Sequence, residues 1–177
     1  MRPGANFMDT SRSLTLPQPL LEPAGSESGI YALILRLEET CAQQIGHLGM
    51  FTFPAGTYLY VGSARGPGGI AARVGRHIQE ISDKRRHWHI DWLRQIAWPI
   101  GLIWSHADAT SECLWAEILS AQGLREPTGF GASDCRCPGH LIRCQLDKDL
   151  NSIRVTLCRM DGAELNLASF GQAYIDP

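Results

Sequence analysis

The sequence predicts a small α/β domain of the α+β kind, a mixed or antiparallel sheet flanked by helices. Three observations predict it. Ile30–Leu37 is a run of mostly aliphatic residues, and Tyr58-Leu-Tyr-Val-Gly62 is a second apolar run of strand length. From Ile70 the period changes: Ile70, Val74, His77, Ile78 and Ile81 recur every three or four residues, the spacing of an amphipathic helix. Of the 177 residues 44% are apolar and 19% charged, which suits one core and is too little charge for a disordered chain.

Each element follows from local chemistry. Residues 1–27 are rich in Pro, Ser, Gly and Thr and lack periodicity, so they read as a flexible tail, with order beginning at Gly29 and a domain over residues 28–145. Ile30–Leu37 is the first strand. Glu38–Gln44 is polar and reads as a turn. Phe51–Thr57 is broken by Pro54 and Gly56, which predicts a turn or a sheet edge. After the Tyr58–Gly62 strand, Gly66-Pro-Gly-Gly69 is a loop leading into the helix from Ile70 to Ile81. Trp88, Asp91, Trp92 and Gln95 predict a second helix over Trp88–Ile96, ended by Pro99. Gly101–His106 is a third strand. Thr110 or Ser111 caps a helix over Glu112–Ala121, closed by Gly123. Thr128–His140 is a loop of Gly, Ser, Asp, Cys and Pro. Residues 146–177 form a C-terminal extension, and Leu141–Leu146 with Ile153–Arg159 is expected to make a short strand pair.

Charge is uneven. The whole chain carries about −2, but Ser63–Arg94 holds seven basic residues against three acids, a local balance of +4. Arg65, Arg76, Lys84, Arg85 and Arg86 in that segment are candidate nucleic-acid contacts, set against the plainer reading of a solvated face. No stretch approaches the 18 apolar residues of a membrane span, and residues 1–27 lack the apolar core of a secretory signal. The expectation is a cytoplasmic protein whose six cysteines are free or metal-bound.

Three constellations carry chemistry. Gly29-Ile-Tyr31 and Tyr60-Val-Gly62 put a tyrosine on each of two strands. A strand tyrosine alone more often packs than reacts. Here a glycine-rich loop follows, then Arg73 and His77 four residues apart on one helical face, then a helix carrying Glu112 and Glu117. The second constellation is Asp134-Cys135-Arg-Cys137-Pro-Gly-His140. It offers three of the four soft ligands of a tetrahedral zinc, with Cys113, His87 or His89 as the fourth. Packing of the loop, or a redox-sensitive thiol pair, are its alternative readings. The third is His87-Trp-His-Ile-Asp-Trp92, whose two tryptophans are expected in the core. Exposed, they could stack unpaired bases.

The order of these residues resembles the GIY-YIG nuclease superfamily. It is most similar to a small stand-alone branch of uncharacterised GIY-YIG-like domains. Four blocks carry the resemblance: Phe53-Pro-Ala-Gly-Thr-Tyr-Leu-Tyr-Val-Gly-Ser-Ala64, Gly68-Gly-Ile-Ala-Ala-Arg-Val-Gly-Arg-His77, His87-Trp-His-Ile-Asp-Trp-Leu93 and Gly129-Phe-Gly-Ala-Ser-Asp-Cys-Arg-Cys-Pro-Gly-His-Leu141. The branch also occurs fused to DNA-glycosylase-like domains, which points to DNA as partner.

The resemblance implies a divalent-metal-dependent endonuclease using Mg²⁺ or Mn²⁺. Tyr31 and Tyr60 would orient the water, Arg73 would hold the phosphate, His77 would act as base or phosphate ligand, and Glu117 would bind the metal. Glu112 is the alternative metal ligand, because a glutamate before the cysteine recurs in the branch. On a helix, residues five apart point about 140° away from each other, so only one of the two can face a given site. The chain departs from the family in the spacing of Tyr31 and Tyr60, which lie 29 positions apart, in Ser63 where repair nucleases have Lys, and in lacking an Asn motif after Glu117. Those departures keep open a non-catalytic nucleic-acid-binding module. A structural domain with a zinc-type loop is the third reading.

Overall fold

The computed structural model of the protein describes residues 24–79, 85–106, 111–121, 123–144, 150–161 and 166–169. Its axis is strand β1 (Gly29–Leu37), in which every residue but Arg36 is buried. A strand covered on both faces reads as a continuous apolar run, which is why Ile30–Leu37 lacks alternation. Tyr31, Leu33, Leu35 and Leu37 enter one core layer, and Ile30, Ala32 and Ile34 enter the other.

β4 (Gly56–Ala64) runs antiparallel along one edge of β1, setting Tyr31 opposite Gly62 and Leu33 opposite Tyr60. β5 (Trp98–Ser105) runs antiparallel along the other edge. β7 (Leu141–Cys144) pairs with β4, and the short β6 (Gly123–Arg125) pairs with β7. The far edge is β8 (Asn166–Ser169), beside β5. The result is a six-stranded antiparallel sheet in the order β6-β7-β4-β1-β5-β8. A separate hairpin joins β2 (Cys41–Ile45) to β3 (Gly49–Phe53) through the 3₁₀ turn Gly46–Leu48.

Helices cover both faces, as the α+β reading requires. α1 (Gly69–Ile78) and the short α2 (His89–Leu93) lie on the Tyr31 side, with Ile70, Val74, Ile78, Ile90 and Leu93 in that layer. α1 ends against Arg94, which is 5% exposed. Its guanidinium donates to the carbonyls of His77 (3.1 Å) and Ile78 (3.5 Å), satisfying acceptors that a helix end leaves open. On the opposite face, α3 (Glu112–Ser120) buries Trp115, Ile118 and Leu119. Ser111 caps it by accepting from the Leu114 amide at 3.2 Å. α4 (Leu150–Asp161) adds Ile153 and Leu157 to the same layer.

The structure corrects several expectations. Ile153–Arg159 belongs to a helix and not to a strand: Ile153 and Leu157, one turn apart, both reach the core. The edge strand comes later, as β8, so the C-terminal extension contributes to the same sheet. Glu38–Gln44 does not simply turn. From Cys41 it forms β2, whose alternating half-exposed and exposed residues suit a two-stranded ribbon with one wet face. Gly123 opens β6 instead of closing α3, and a side chain there would collide with the Arg143 carbonyl. The second helix is shorter than Trp88–Ile96. Residues 24–27, read as tail, dock on α1: Ala24 is buried, and the carbonyls of Glu27 and Gly25 accept from the amides of Ile70 and Ala71 at 3.0 Å. The remainder of the expected tail, residues 1–23, and also Ile81, Lys84 and Thr110, lie outside the described residues.

Replacing Trp115 with Ala should destabilise the domain by about 3–5 kcal/mol and Leu157→Ala by about 2–5 kcal/mol, through lost burial plus the cavity left behind. Denaturant unfolding reads both. A near-neutral Leu157→Ala would contradict a packed α4.

Candidate active site and thiol cluster

A pocket of about 150 Å³ opens where the Gly62–Ser63 end of β4 meets the start of β1. Tyr31 and Tyr60 form part of its wall, with Arg73 from α1 and Glu112 from the first turn of α3. His87, Trp88 and His89 line another part, and the loop before β7 contributes Gly131, Ser133, Asp134 and His140.

Glycines make room for this convergence. Gly62 faces Tyr31 across the β1–β4 pair, and a Cβ on it would lie 2.5 Å from the Tyr31 hydroxyl. Gly131 has φ +72°, and a Cβ there would press on the Tyr60 ring at 3.0 Å. The Tyr31 and Tyr60 ring centroids are 6.5 Å apart. His77 packs against both from α1, and its Nε2 shares a 2.7 Å hydrogen bond with the Tyr31 hydroxyl. His77 is itself buried and not part of the pocket wall, so it acts on the pocket through Tyr31.

Arg73 is held by Trp88. Its guanidinium carbon lies 4.6 Å from the centroid of the indole ring, and that of Arg76 lies at the same distance. Arg76 also pairs at 3.5 Å with Asp91, which is fully buried. Asp91 Oδ2 accepts from the amides of His87 (2.8 Å) and Trp88 (3.0 Å), fixing the segment that carries the indole. Arg76 is thus committed to structure, whereas Arg73 reaches the pocket.

Burial pushes the Tyr31 hydroxyl well above its ordinary pKa, and the neighbouring Tyr60 adds to this while Arg73 opposes it. Tyr60 is raised likewise, by burial and then by Glu112, again against Arg73. Both are therefore neutral phenols near pH 7, able to donate a hydrogen bond.

The two glutamates separate cleanly. Glu112 is on the pocket wall. Glu117 is exposed, its side chain 74% accessible, and ion-pairs with Arg125 at 2.6 Å. Of the two, Glu112 faces the pocket and Glu117, the first choice, points away from it, for the helical-rotation reason above. Of the expected nucleic-acid contacts, Arg65 is exposed on the loop after β4, and Arg85 and Arg86 line a second cavity.

Beside the pocket, Cys113, Cys135, Cys137 and His140 bring their ligand atoms within 4.8 Å of one another, a set that could hold a metal ion. Cys135 Sγ and Cys113 Sγ lie 3.5 and 3.8 Å from His140 Nε2. The fourth member is Cys113, and not His87 or His89. His89 Nδ1 accepts from the Gly131 amide at 3.0 Å. The Cys113 thiol is pushed up to about 12, first by its hydrogen bond with Cys137 and then by burial. His140 is lowered by burial, against the pull of Glu112 and Asp134, which favours the neutral imidazole that binds metal.

Sequence reasoning did not place Trp88, Ser133 or Asp134 in this pocket. Trp88 sits at the periodic helix position that normally marks core. Asp134 stood out only as the neighbour of a ligand-type cysteine.

Fold and site together define an antiparallel α+β domain with a Tyr–Arg–Glu pocket beside a Cys₃His cluster. Residues 30–160 match the profile of the family described as a domain of unknown function, DUF123, and the chain belongs to that family. No curated protein and no solved structure matches it. None of the described helices is long and apolar enough to cross a membrane.

Tyr31, Tyr58 and Tyr60 all have raised values, with Tyr58 at about 12. Above pH ~10 the unfolded chain loses tyrosine protons that the folded chain keeps. The folded state then binds more protons, and stability falls as pH rises. In an ultraviolet titration these three tyrosines should ionise only with alkaline unfolding. Reversible ionisation of all four tyrosines near pH 10 in folded protein would contradict the buried geometry.

Proposed function

We propose that the protein is a phosphodiesterase that cuts nucleic acid, DNA in the first instance, by a GIY-YIG-type mechanism. One observation carries this reading: Tyr31, Tyr60, Arg73 and Glu112, spread over 82 positions of the chain, line one pocket.

Hydrolysis of a phosphodiester needs a positioned water, a place for its proton and compensation of charge on the phosphate. Arg73 offers a permanent planar cation to a non-bridging oxygen, and Trp88 restricts its motion. The neutral hydroxyls of Tyr31 and Tyr60 orient the attacking water. The water's proton has a route inward, because Tyr31 is hydrogen-bonded to His77, whose imidazole serves as the base; as the water oxygen bonds phosphorus the P–O bond to the sugar breaks, and the leaving oxygen takes its proton from solvent at the pocket mouth. Glu112 and Asp134 are oxygen donors on the same wall, a set that fits a hard divalent cation such as Mg²⁺ or Mn²⁺. Bound there, the cation supplies positive charge next to the scissile phosphate.

The soft cluster takes a different role in this reading. Three thiols and an imidazole fit a tetrahedral zinc, in which S···N separations are about 3.6 Å, against the 3.5 and 3.8 Å found here. With all four positions taken by protein, such a zinc is structural and leaves no place for water.

Cleavage of labelled duplex, single-stranded, flap and four-way-junction DNA with Mg²⁺ or Mn²⁺ tests the nuclease. Glu112→Gln and Arg73→Ala should each lower the rate at least about 100-fold, and Glu117→Gln should leave it near wild type. Loss of activity in Glu117→Gln equal to that in Glu112→Gln would overturn the assignment. Failure of every substrate, with salt-sensitive binding retained, would favour the non-catalytic binding module. For the cluster, metal analysis of purified protein should find about one zinc per chain, and Cys135→Ser should lose most of it.

A further inference from the structure

A second cavity, of about 610 Å³, lies next to the first and is unused by the mechanism above. It is walled by Gln43 and Gln44 of β2, Arg85 and Arg86 before α2, and Trp92 and Gln95. Among the described residues no carboxylate lines it. The wall therefore favours an anionic ligand.

Its parts are held in place. The Trp92 ring lies on the backbone of Gly46, where a Cβ would sit 3.3 to 3.5 Å from three ring atoms. Gln43 Nε2 donates to Gln95 Oε1 at 2.8 Å and to the Gln44 carbonyl at 3.0 Å. Gln44 Nε2 donates to the Gly46 carbonyl at 2.7 Å. The amides are thus oriented before any ligand arrives, and the Gln43 and Gln44 side-chain oxygens and the Gln95 nitrogen keep capacity to bond. A fixed aromatic plate, oriented amides and two guanidinium groups match the three parts of an unpaired nucleotide: base face, base edge and phosphate. In a duplex the base faces are already stacked and cannot reach an indole.

The two cavities are lined by successive parts of one segment. Arg85 and Arg86 line one, and His87, Trp88 and His89 line the other. Arg86 and His87 are consecutive residues, about 3.8 Å apart at Cα, so the linings of the two cavities adjoin.

We propose that this groove binds unpaired nucleotides of the strand whose phosphate occupies the Tyr–Arg–Glu pocket, so that the substrate carries a single-stranded or splayed segment beside the cut. The inference rests on the nuclease reading for its polarity and gains its ligand class from the groove itself.

The test is fluorescence anisotropy of a labelled single strand and of a blunt duplex of the same sequence, in buffer without Mg²⁺ or Mn²⁺ and without chelator, so that no cutting occurs and the thiol cluster keeps its metal. The single strand should bind about tenfold more tightly than the duplex. Trp92→Ala should weaken single-strand binding about tenfold, while Trp92→Phe, which keeps a stacking face, retains most of it. Arg85→Ala with Arg86→Ala should weaken it and flatten its salt dependence. Equal affinity for both substrates would overturn the proposal. So would unchanged single-strand binding in Trp92→Ala and in the double arginine variant, each shown folded by circular dichroism. Cleavage by wild type without these preferences removes the groove and keeps the nuclease. These preferences without cleavage of any substrate keep the groove and remove the nuclease.

Discussion

A phenol at the end of the most buried strand must find a hydrogen-bond partner, and much of the structure follows from how Tyr31 finds one. Its hydroxyl is met by His77 Nε2 at 2.7 Å, well inside the core. An unsatisfied buried hydroxyl costs on the order of 1–3 kcal/mol, so this contact ties α1 to β1 at a defined rotation. That rotation turns Arg73, one helical turn earlier, toward the pocket. It also requires Gly62 opposite, because any side chain there would occupy the place of the tyrosine ring. The same bond that satisfies the core thus aims the cation of the site.

The pocket and the thiol cluster are built from neighbouring residues facing different ways. Glu112 lines the pocket and Cys113 joins the cluster; Asp134 lines the pocket and Cys135 joins the cluster. His140 belongs to both. The hard oxygen donors thereby stand apart from the soft sulfur donors by one residue at each of two points in the chain. This means that whatever fixes the cluster fixes the first turn of α3 and the loop before β7, the two segments that bring carboxylates to the pocket.

A second node orders the cations. Trp88 carries two guanidinium groups at 4.6 Å, and the buried Asp91 pairs with one of them, Arg76. Two like charges on one ring would repel. The carboxylate offsets that repulsion on the inner side and leaves the charge of Arg73 directed to the pocket. Asp91 also receives the His87 and Trp88 amides, so one side chain sets both the indole and the segment that lines the two cavities.

The sequence by itself determined the α+β class, the strands β1 and β4, the helices α1 and α3, a hydroxyl cap at Thr110 or Ser111 and the loop before β7. These rest on local causes: an apolar run, a 3.6-residue period, a capping hydroxyl, a cluster of turn formers. It also brought the Cys135, Cys137, His140 triplet forward, since ligand spacing is a local property, and Tyr31, Tyr60 and Arg73 through the order of motifs that carries the family resemblance. Only the tertiary structure put Glu112 and not Glu117 on the pocket wall, because that depends on which face of α3 meets the sheet. The same holds for Cys113 as the fourth member of the cluster and for Trp88 as a pocket residue. It likewise decided that Ile153–Arg159 is helical and that the chain beyond 145 completes the sheet. A short apolar run reads equally well as either element, and only the partner it packs against breaks the tie.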